Sequence, residues 1–225
     1  MFFLKYIFNP LIDLVIPVFE FIIDGIYNQS YNKFYMLETI ARIPYFSYLS
    51  TLHLYQSLGL HPALELLDLH YKETVNEQYH LMVMEELCGV VRWYEILILR
   101  FVSIIYYLLA FLLYILCPTS GYYLMEVVET YAANSYTKFL NKNEKELKST
   151  LASGFSLKYF FSAKGRMVET DKDKNYKPTL YDVFVSIRND ELVHTSDMKL
   201  VGNMASLYNK NRGKEIVEIL LKRNF

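Results

Sequence analysis

The sequence predicts an all-α fold, a four-helix bundle with additional amphipathic and apolar helices that attach to one membrane leaflet. Two copies of Glu-x-x-His, Glu77/His80 and Glu191/His194, lie on stretches in which apolar residues recur with helical spacing. Further long apolar runs lie outside the helices that carry these motifs. With 225 residues, the chain has the length of a single domain, which we expect to cover residues 1–225.

The composition narrows the classes of protein to which the chain can belong. Hydrophobic residues make up 53% of the chain, including 21 Tyr and 15 Phe, which exceeds the average for soluble domains. We therefore expect part of the apolar surface to contact membrane lipid. A net charge of -1 gives no basic field for phosphates, so no nucleic-acid partner is expected. The two cysteines, Cys88 and Cys117, have no C-x-x-C spacing and indicate neither a disulfide framework nor a zinc knuckle.

The first thirty residues form an apolar segment that we expect to associate with a membrane. Pro10 and Pro17 interrupt it, and it also carries Asp13 and Glu20. A segment lying half-immersed in one leaflet is therefore favoured over a spanning helix. With one Lys, no Arg and one Ser, residues 1–30 do not have the composition of an organelle transit peptide.

The first two helices expected in the bundle cover residues 31–57 and 63–87. The first surrounds Glu38, and we expect Pro44 to kink it. The second carries Glu77/His80 and is expected to end at Gly89. On this second helix, apolar, acidic and histidine side chains recur every three or four residues and therefore share one face, which should point into the bundle. They are Leu66, His70, Glu73, Glu77, His80 and Met84.

An apolar run, a third helix, a polar segment and a fourth helix follow. Residues 101–117 contain one plainly polar residue and are followed by Pro118. This pattern is shared by spanning, interfacial and buried core helices. The third helix, 121–140, holds Glu129. Residues 141–178 are predicted as a polar surface loop with one short helix. The fourth helix, 179–199, repeats the stripe in which the second motif lies: Leu180, Phe184, Ile187, Glu191, His194 and Met198.

These residues predict a metal centre of a ferritin-like di-iron bundle. Such bundles bind their metal ions with one Glu from each of two helices and a Glu-x-x-His motif from each of the other two. Four buried carboxylates would cost several kcal/mol each without positive charge to compensate them. Carboxylates and imidazoles suit iron or manganese, whereas structural zinc favours thiolates. We therefore expect two Fe ions, oxygen chemistry, and six metal ligands: Glu38, Glu77, His80, Glu129, Glu191 and His194.

Other polar residues near these motifs have competing interpretations. Tyr136 follows Glu129 by two helical turns, so it either donates an electron and a proton to the centre or packs in the core. Asp190 and Asn76 precede the motif glutamates and either orient the imidazoles or serve as capping or solvent-facing residues. The remaining histidines lack a paired acid and are expected to be packing or surface residues: His53, His61 and His70.

Four segments resemble the signature segments of the alternative oxidase family, in order and without rearrangement. They are LETIARIPYF (37–46), NEQYHLMVMEELCG (76–89), ETYAANSYTKFL (129–140) and LYDVFVSIRNDELVH (180–194). The resemblance runs from Lys33 to Met198. The IARIPYF, EELCG and TKFL features and the long connection before LYDVF resemble the plastid terminal oxidase branch.

The resemblance implies a membrane-bound quinol oxidase that couples quinol oxidation to four-electron reduction of O2 to water, without proton pumping. It places iron ligands on the six residues named above and a redox-active tyrosine on Tyr136. It also implies a quinol pocket. Lys33 stands where relatives usually carry arginine, and Tyr131 stands where they often carry an acid or His. The implied pocket residues are Leu37, Val128, Ala132, Ser135 and Lys33.

The resemblance also implies a location and partners. Plastoquinol at the stromal side of the chloroplast thylakoid is favoured, with ubiquinol at the mitochondrial inner membrane as the alternative. A homodimer is implied, with the N-terminal helices as candidate contact surfaces. Two other functions stay open from the residues: a di-iron lipid hydroxylase or desaturase, and a non-catalytic iron-binding membrane bundle.

Overall fold

The computed structural model describes residues 3–27, 30–60, 64–89, 91–163 and 176–203. Seven helices account for most of this part of the chain, which contains no strand beyond one isolated bridge between Leu151 and Thr179. The all-α fold is thus confirmed. The helices are α1 (Lys5–Tyr27), α2 (Tyr31–Ser57), α3 (Leu64–Cys88), α4 (Trp93–Leu116), α5 (Pro118–Ser149), α6 (Gly154–Ala163) and α7 (Leu180–Asn203).

Helices α2, α3, α5 and α7 form the bundle. α2 packs against α3 and α5 packs against α7, while α4 lies on α2 and α1 on α5. All twelve residues of the two stripes identified in the sequence are buried, because helical spacing places each stripe on one face. One apolar cluster contains Phe34, Tyr136 and Phe184, and a second contains Tyr45 and Met198.

Helices α1 and α4 expose apolar faces. On α4, five residues with helical spacing are exposed by 52–65%: Leu97, Phe101, Ile104, Leu108 and Leu112. A corresponding stripe on α1 is also exposed: Leu11, Leu14, Val18 and Phe21. By length and composition alone, both helices could cross a membrane. Exposed apolar stripes of this kind are typical of a protein or membrane contact.

The N-terminal prolines do not divide α1. The sequence predicts an interrupted segment, but α1 is one helix that contains both Pro10 and Pro17. Each proline removes one backbone donor, and the remaining bonds of a 23-residue helix are sufficient to keep it continuous. Likewise, Pro44 lies inside α2, which continues to Ser57. Gly89 follows the end of α3 with a φ of 68°, in the left-handed region that glycine adopts without strain.

The polar segment 141–178 is more helical than the sequence predicts. Residues 141–149 continue α5, with Asn143 the one residue whose backbone departs from helical geometry. This extension is rich in Lys and Glu, which favour helix, and Lys148 pairs with Glu144 one turn earlier. The short helix expected in this segment is α6. Residues 164–175 of the segment lie outside the described part of the chain.

Candidate metal centre

Six acidic and imidazole side chains from the four bundle helices meet in the interior. All six are buried, and the most exposed of them, His194, is only 5% accessible. They are the residues that the sequence predicts as metal ligands. α2 contributes Glu38, α3 contributes Glu77 and His80, α5 contributes Glu129, and α7 contributes Glu191 and His194.

The six side chains form two overlapping groups. In the first group, Glu38 and His80 stand with Glu77 and Glu191, and the potential ligand atoms all lie within 4.8 Å of one another. In the second group, the same two shared glutamates stand with Glu129 and His194. Each group could therefore hold one cation, and Glu77 and Glu191 belong to both groups.

The buried atoms of these groups lack hydrogen-bond partners. Nine carboxylate oxygens and imidazole nitrogens of the six residues are buried without a hydrogen bond. His80 Nδ1 lies 3.0 Å from a Glu191 oxygen, and His194 Nδ1 lies 2.9 Å from a Glu77 oxygen, yet neither contact has hydrogen-bond geometry. Unpaired buried polar atoms are costly, and bound cations would satisfy them together. The donor set therefore fits a pair of metal ions such as iron.

Without a cation, the centre binds protons. Burial and the neighbouring Glu77 raise the pKa of Glu38 to about 8. Burial and Glu77 also raise the pKa of Glu191 well above its usual value. Burial acts in the same direction on Glu77, but the nearby His80 outweighs it, and the pKa of Glu77 falls below its usual value. Cations that bind here would displace protons from these carboxyls.

Two residues contact the outer nitrogen of His80, and a third supports one of them. His80 Nε2 lies 3.3 Å from Asp190 Oδ2 and 3.2 Å from the Tyr159 hydroxyl. Tyr159 donates a hydrogen bond to Asp190 at 2.6 Å, and Asn76 donates one to the same oxygen at 3.1 Å. Asp190 and Tyr159 thus fix the imidazole so that Nδ1 faces the glutamates, as outer partners of metal-binding histidines do. Asn76 supports Asp190 rather than an imidazole.

The sequence does not single out Tyr159 as a site residue. It lies on α6, inside the segment predicted as a polar loop, and no motif distinguishes it from the other tyrosines. The signal in the sequence is weak: a run of apolar and aromatic residues, FSLKYFF, within otherwise polar surroundings.

Tyr136 contacts the centre directly. Its side chain is fully buried, and its hydroxyl donates a hydrogen bond to Glu38 Oε1. The ring stacks on Phe34 with centroids 4.3 Å apart. Burial and the Glu38 carboxylate raise the pKa of Tyr136 well above its usual value. The phenol therefore keeps its proton at neutral pH.

An apolar cavity of about 270 Å³ lies between α1, α2, α4 and α5. Leu37, Val128 and Ala132, three of the residues implied in a quinol pocket, line it. Leu37 and Val128 directly precede the predicted ligands Glu38 and Glu129 in sequence. The cavity, termed the apolar cavity below, is therefore bounded by the two helices that carry those ligands.

Lys33 and Ser135, the other two residues implied in quinol binding, are not among the residues that line this cavity. The Lys33 side chain is fully buried, and its ammonium lies 2.6 Å from Asp24 Oδ1 and donates a hydrogen bond to Ser135 Oγ at 3.1 Å. Tyr131 donates a hydrogen bond to the same oxygen of Asp24 at 2.7 Å. A quinol-binding role for Lys33 and Ser135 stays a prediction.

The remaining histidines lie outside the two ligand groups or outside the described residues. His70 is buried, with Glu73 Oε2 3.1 Å from its Nδ1 and the Tyr122 hydroxyl 3.0 Å from its Nε2. His53 is exposed. His61 lies outside the described part of the chain.

Comparisons with known proteins identify relatives of the chain. A family model described as "Alternative oxidase" matches residues 21–203. Ubiquinol oxidase 4, chloroplastic/chromoplastic, of Arabidopsis thaliana is 36% identical over 194 residues, which cover 83% of this chain and 55% of that protein. No solved structure gives a significant match.

Two mitochondrial proteins are also similar. Ubiquinol oxidase 2, mitochondrial, of Arabidopsis thaliana is 30% identical, over 81% of this chain and 47% of that protein. Ubiquinol oxidase 2, mitochondrial, of Glycine max is 32% identical, over 71% of this chain and 44% of that protein. The chain thus spans about half the length of the curated relatives that it matches.

Proposed function

Because the chain belongs to the alternative oxidase family, we propose that it is a membrane-attached quinol oxidase with a non-haem di-iron centre. It would couple the oxidation of two quinols to the four-electron reduction of O2 to water, without pumping protons. The relatives are named as ubiquinol oxidases, which supports quinol as the substrate class.

The observation that carries this proposal is the convergence of six buried side chains whose polar atoms lack hydrogen-bond partners. One ion would be held by Glu38, Glu77, His80 and Glu191, and the other by Glu77, Glu129, Glu191 and His194. When bound, two iron ions would accept electrons from quinol and transfer them to O2. The four carboxylates balance the four positive charges of two ferrous ions.

The protein's own contribution at the centre is orientation and control of protons. Asp190 holds the His80 ring, as described above. Tyr136 keeps its proton at neutral pH, so any electron that it supplies must leave together with that proton. Glu38 Oε1 already accepts the hydrogen bond of the phenol and is therefore the nearest acceptor for the phenolic proton. This geometry supports a catalytic role for Tyr136.

The apolar cavity is the proposed site for quinol. Its volume of about 270 Å³ suits a substituted aromatic ring, and Leu37, Val128 and Ala132 would contact that ring. Ser135 and Lys33 lie near this cavity but do not line it, and we propose that they position its wall. A substrate held here would lie beside both Glu38 and Glu129.

The exposed faces of α1 and α4 support attachment to one membrane leaflet, from which a lipid-soluble quinol would enter. We propose plastoquinol as the substrate and the stromal side of the thylakoid as the location. The identity of 36% to a chloroplastic relative, against 30% and 32% to the mitochondrial ones, supports this choice. We further propose a homodimer in which the N-terminal helices form the contact.

The test is oxygen uptake by membranes that contain the chain, with plastoquinol and with ubiquinol, together with iron analysis and analysis of lipid products. We expect uptake with plastoquinol, about two iron ions per chain, and no oxygenated lipid. In Glu77→Ala, both uptake and iron should be lost because this carboxylate belongs to both ligand groups. The exposed Glu85→Ala on the same helix is the matched control and should retain both.

Three outcomes would contradict the proposal. Full turnover in the Glu77→Ala variant would exclude the metal centre as the site of oxygen chemistry. Oxygen uptake with formation of a hydroxylated or desaturated lipid would favour a lipid-modifying enzyme. Bound iron without oxygen uptake on addition of either quinol would favour a non-catalytic iron-binding bundle.

A further inference from the structure

Glu20 of α1 lies between the apolar cavity and a second, polar cavity. The second cavity, termed the polar cleft, has a volume of about 350 Å³ and is lined mainly by polar residues of α1 and α5. Glu20 and Tyr131 line both the apolar cavity and the polar cleft. These two side chains therefore connect a site fit for a quinol ring with a polar surface.

Glu20 is the sole carboxylate among the described residues that line the apolar cavity. The other polar groups there are the hydroxyls of Tyr106 and Tyr131, and burial raises the pKa of both above the usual tyrosine value. Neither phenol is ionised near neutral pH, so neither can act as a base. An apolar cavity offers a departing proton no other acceptor on its walls.

The neighbours of Glu20 leave it available for proton transfer. Asp24, one turn further along α1, is already paired with Lys33 and accepts a hydrogen bond from Tyr131. Glu20 itself forms no hydrogen bond or ion pair with any residue that the structure describes. Its carboxyl faces the charges of Asp24 on α1, Lys33 on α2 and Lys138 on α5.

These charges and partial burial set the basicity of Glu20. Burial and the nearby Asp24 raise the pKa of Glu20 above its usual value, against the opposing effect of Lys138 and Lys33. A carboxylate with a raised pKa is a stronger base and is better matched to proton transfer near neutral pH.

We propose that Glu20 accepts the protons of quinol hydroxyls in the apolar cavity and releases them to the polar cleft, an assignment that rests on the quinol oxidase function. In each transfer, the quinol O–H bond breaks and an O–H bond forms on a Glu20 oxygen. The two electrons of the quinol pass to the metal centre and then to O2. Loss of two protons and two electrons converts the quinol to a quinone. Glu20 loses its proton to the cleft between transfers and so serves both hydroxyls.

The test compares Glu20→Gln with the wild type and with Glu20→Asp. Glutamine keeps the size and polarity of the side chain but cannot accept a proton, so we expect kcat for quinol to fall roughly 100-fold with little change in KM. The pH dependence of kcat should flatten in the same variant. Glu20→Asp keeps a carboxylate and should recover part of the lost turnover. Quinone binding to the metal-free protein should be the same in all three.

The matched control is Asp13→Asn. Asp13 is also a carboxylate on α1, but it is exposed, accepts a hydrogen bond from Tyr123 and does not line the apolar cavity. Its substitution should leave kcat and the pH profile unchanged. Iron content should equal that of the wild type in every variant.

The outcomes separate this assignment from the proposed function. If the wild type oxidises quinol and Glu20→Gln turns over within twofold of it, the role of Glu20 is overturned while the oxidase function stands. Loss of turnover together with iron would make Glu20 a structural residue and would also overturn the role. If the wild type oxidises no quinol, the proposed function fails and the role of Glu20 fails with it.

Discussion

Two buried tyrosines beside the candidate metal centre differ in the contacts of their hydroxyl groups. Tyr136 and Tyr45 are both fully buried, and Tyr45 lies against His194 with ring centroids 5.8 Å apart. The Tyr136 hydroxyl contacts Glu38, whereas the Tyr45 hydroxyl is buried without a hydrogen-bond partner. The two residues therefore allow a comparison between a phenol that is hydrogen-bonded to Glu38 and one that only packs nearby.

We predict that Tyr136→Phe lowers quinol-dependent oxygen uptake on the order of 100-fold while iron content is retained. The ring and its stacking on Phe34 remain, and what is lost is the hydroxyl that can supply a proton together with an electron. In the matched variant Tyr45→Phe, uptake should be unchanged and the thermal midpoint no lower than that of the wild type. Equal turnover of Tyr136→Phe and wild type would show that Tyr136 is a packing residue.

The sequence predicts which side chains of the candidate ligand pairs share a helix face because their spacing is local. Glu77 and His80 lie three residues apart on one helix, and Glu191 and His194 repeat this arrangement, so each pair shares a face whatever the tertiary structure. Tyr159 could not be identified in this way. Its contact with His80 spans 79 residues and depends on how α6 docks, which no local pattern specifies.

At the scale of elements, a carboxylate of α3 accepts hydrogen bonds from the start of α6. Glu86 Oε2 accepts hydrogen bonds from the backbone N–H groups of Phe155 at 2.7 Å and Ser156 at 3.0 Å, at the start of α6. The negative charge also interacts favourably with the helix N-terminus. Gly154 leaves room for this contact, since a Cβ atom there would lie 2.2 Å from Glu86 Oε1. This contact indirectly positions Tyr159 beside His80.

We predict that Glu86→Gln destabilises the protein by about 1 kcal/mol and weakens iron retention. Glutamine keeps one acceptor oxygen but loses the charge at the start of α6, so the helix and Tyr159 should be held less firmly. The measurements are thermal unfolding and the rate of iron loss to a chelator. The exposed neighbour Glu85→Gln serves as the control and should behave as the wild type does. Unchanged iron loss in Glu86→Gln would show that α6 does not depend on this contact.

Element boundaries were predictable where local signals are strong. Helices α2, α3 and α7 begin and end within a few residues of the predicted positions, and Gly89 marks the end of α3. The extension of α5 through 141–149 and the continuity of α1 through Pro10 and Pro17 were not predicted. Polar composition and proline both predict a break, although neither prevents a helix that neighbouring turns support.

At the scale of the whole molecule, the stability of the metal-free protein should depend on pH through its buried centre. The pKa values of Glu38 and Glu191 are raised, as described above. Against the lowering effect of burial, the neighbouring Tyr159 and Glu77 raise the pKa of His80, and Glu129 and Glu77 raise that of His194. A folded state with raised pKa values binds more protons than the unfolded chain.

We predict that the metal-free protein loses stability as the pH rises from about 5 to about 8. A group with a raised pKa stabilises the fold fully below its unfolded pKa, and this contribution is lost as the pH rises through its folded value. For Glu38, that window runs from 4.5 to about 8. The lowered pKa of Glu77 makes a constant contribution to the stability across this range, because Glu77 titrates at lower pH.

The measurement is the thermal midpoint of the chelator-treated protein across this pH range, with the iron-loaded protein alongside. Iron replaces the protons, so the loaded protein should not lose stability in the same way. The Glu38→Gln variant removes one titrating carboxyl and should show a shallower fall. A midpoint that rises with pH in the metal-free protein would contradict the electrostatic description of the centre.

The sharing of Glu77 and Glu191 by both ligand groups links the two halves of the centre. A first cation would order the Glu77 and Glu191 carboxylates that a second would also need, so the entropic cost of immobilising those side chains would fall mainly on the first binding event. We therefore expect the ordering of these side chains to favour filling of both positions over a half-filled centre.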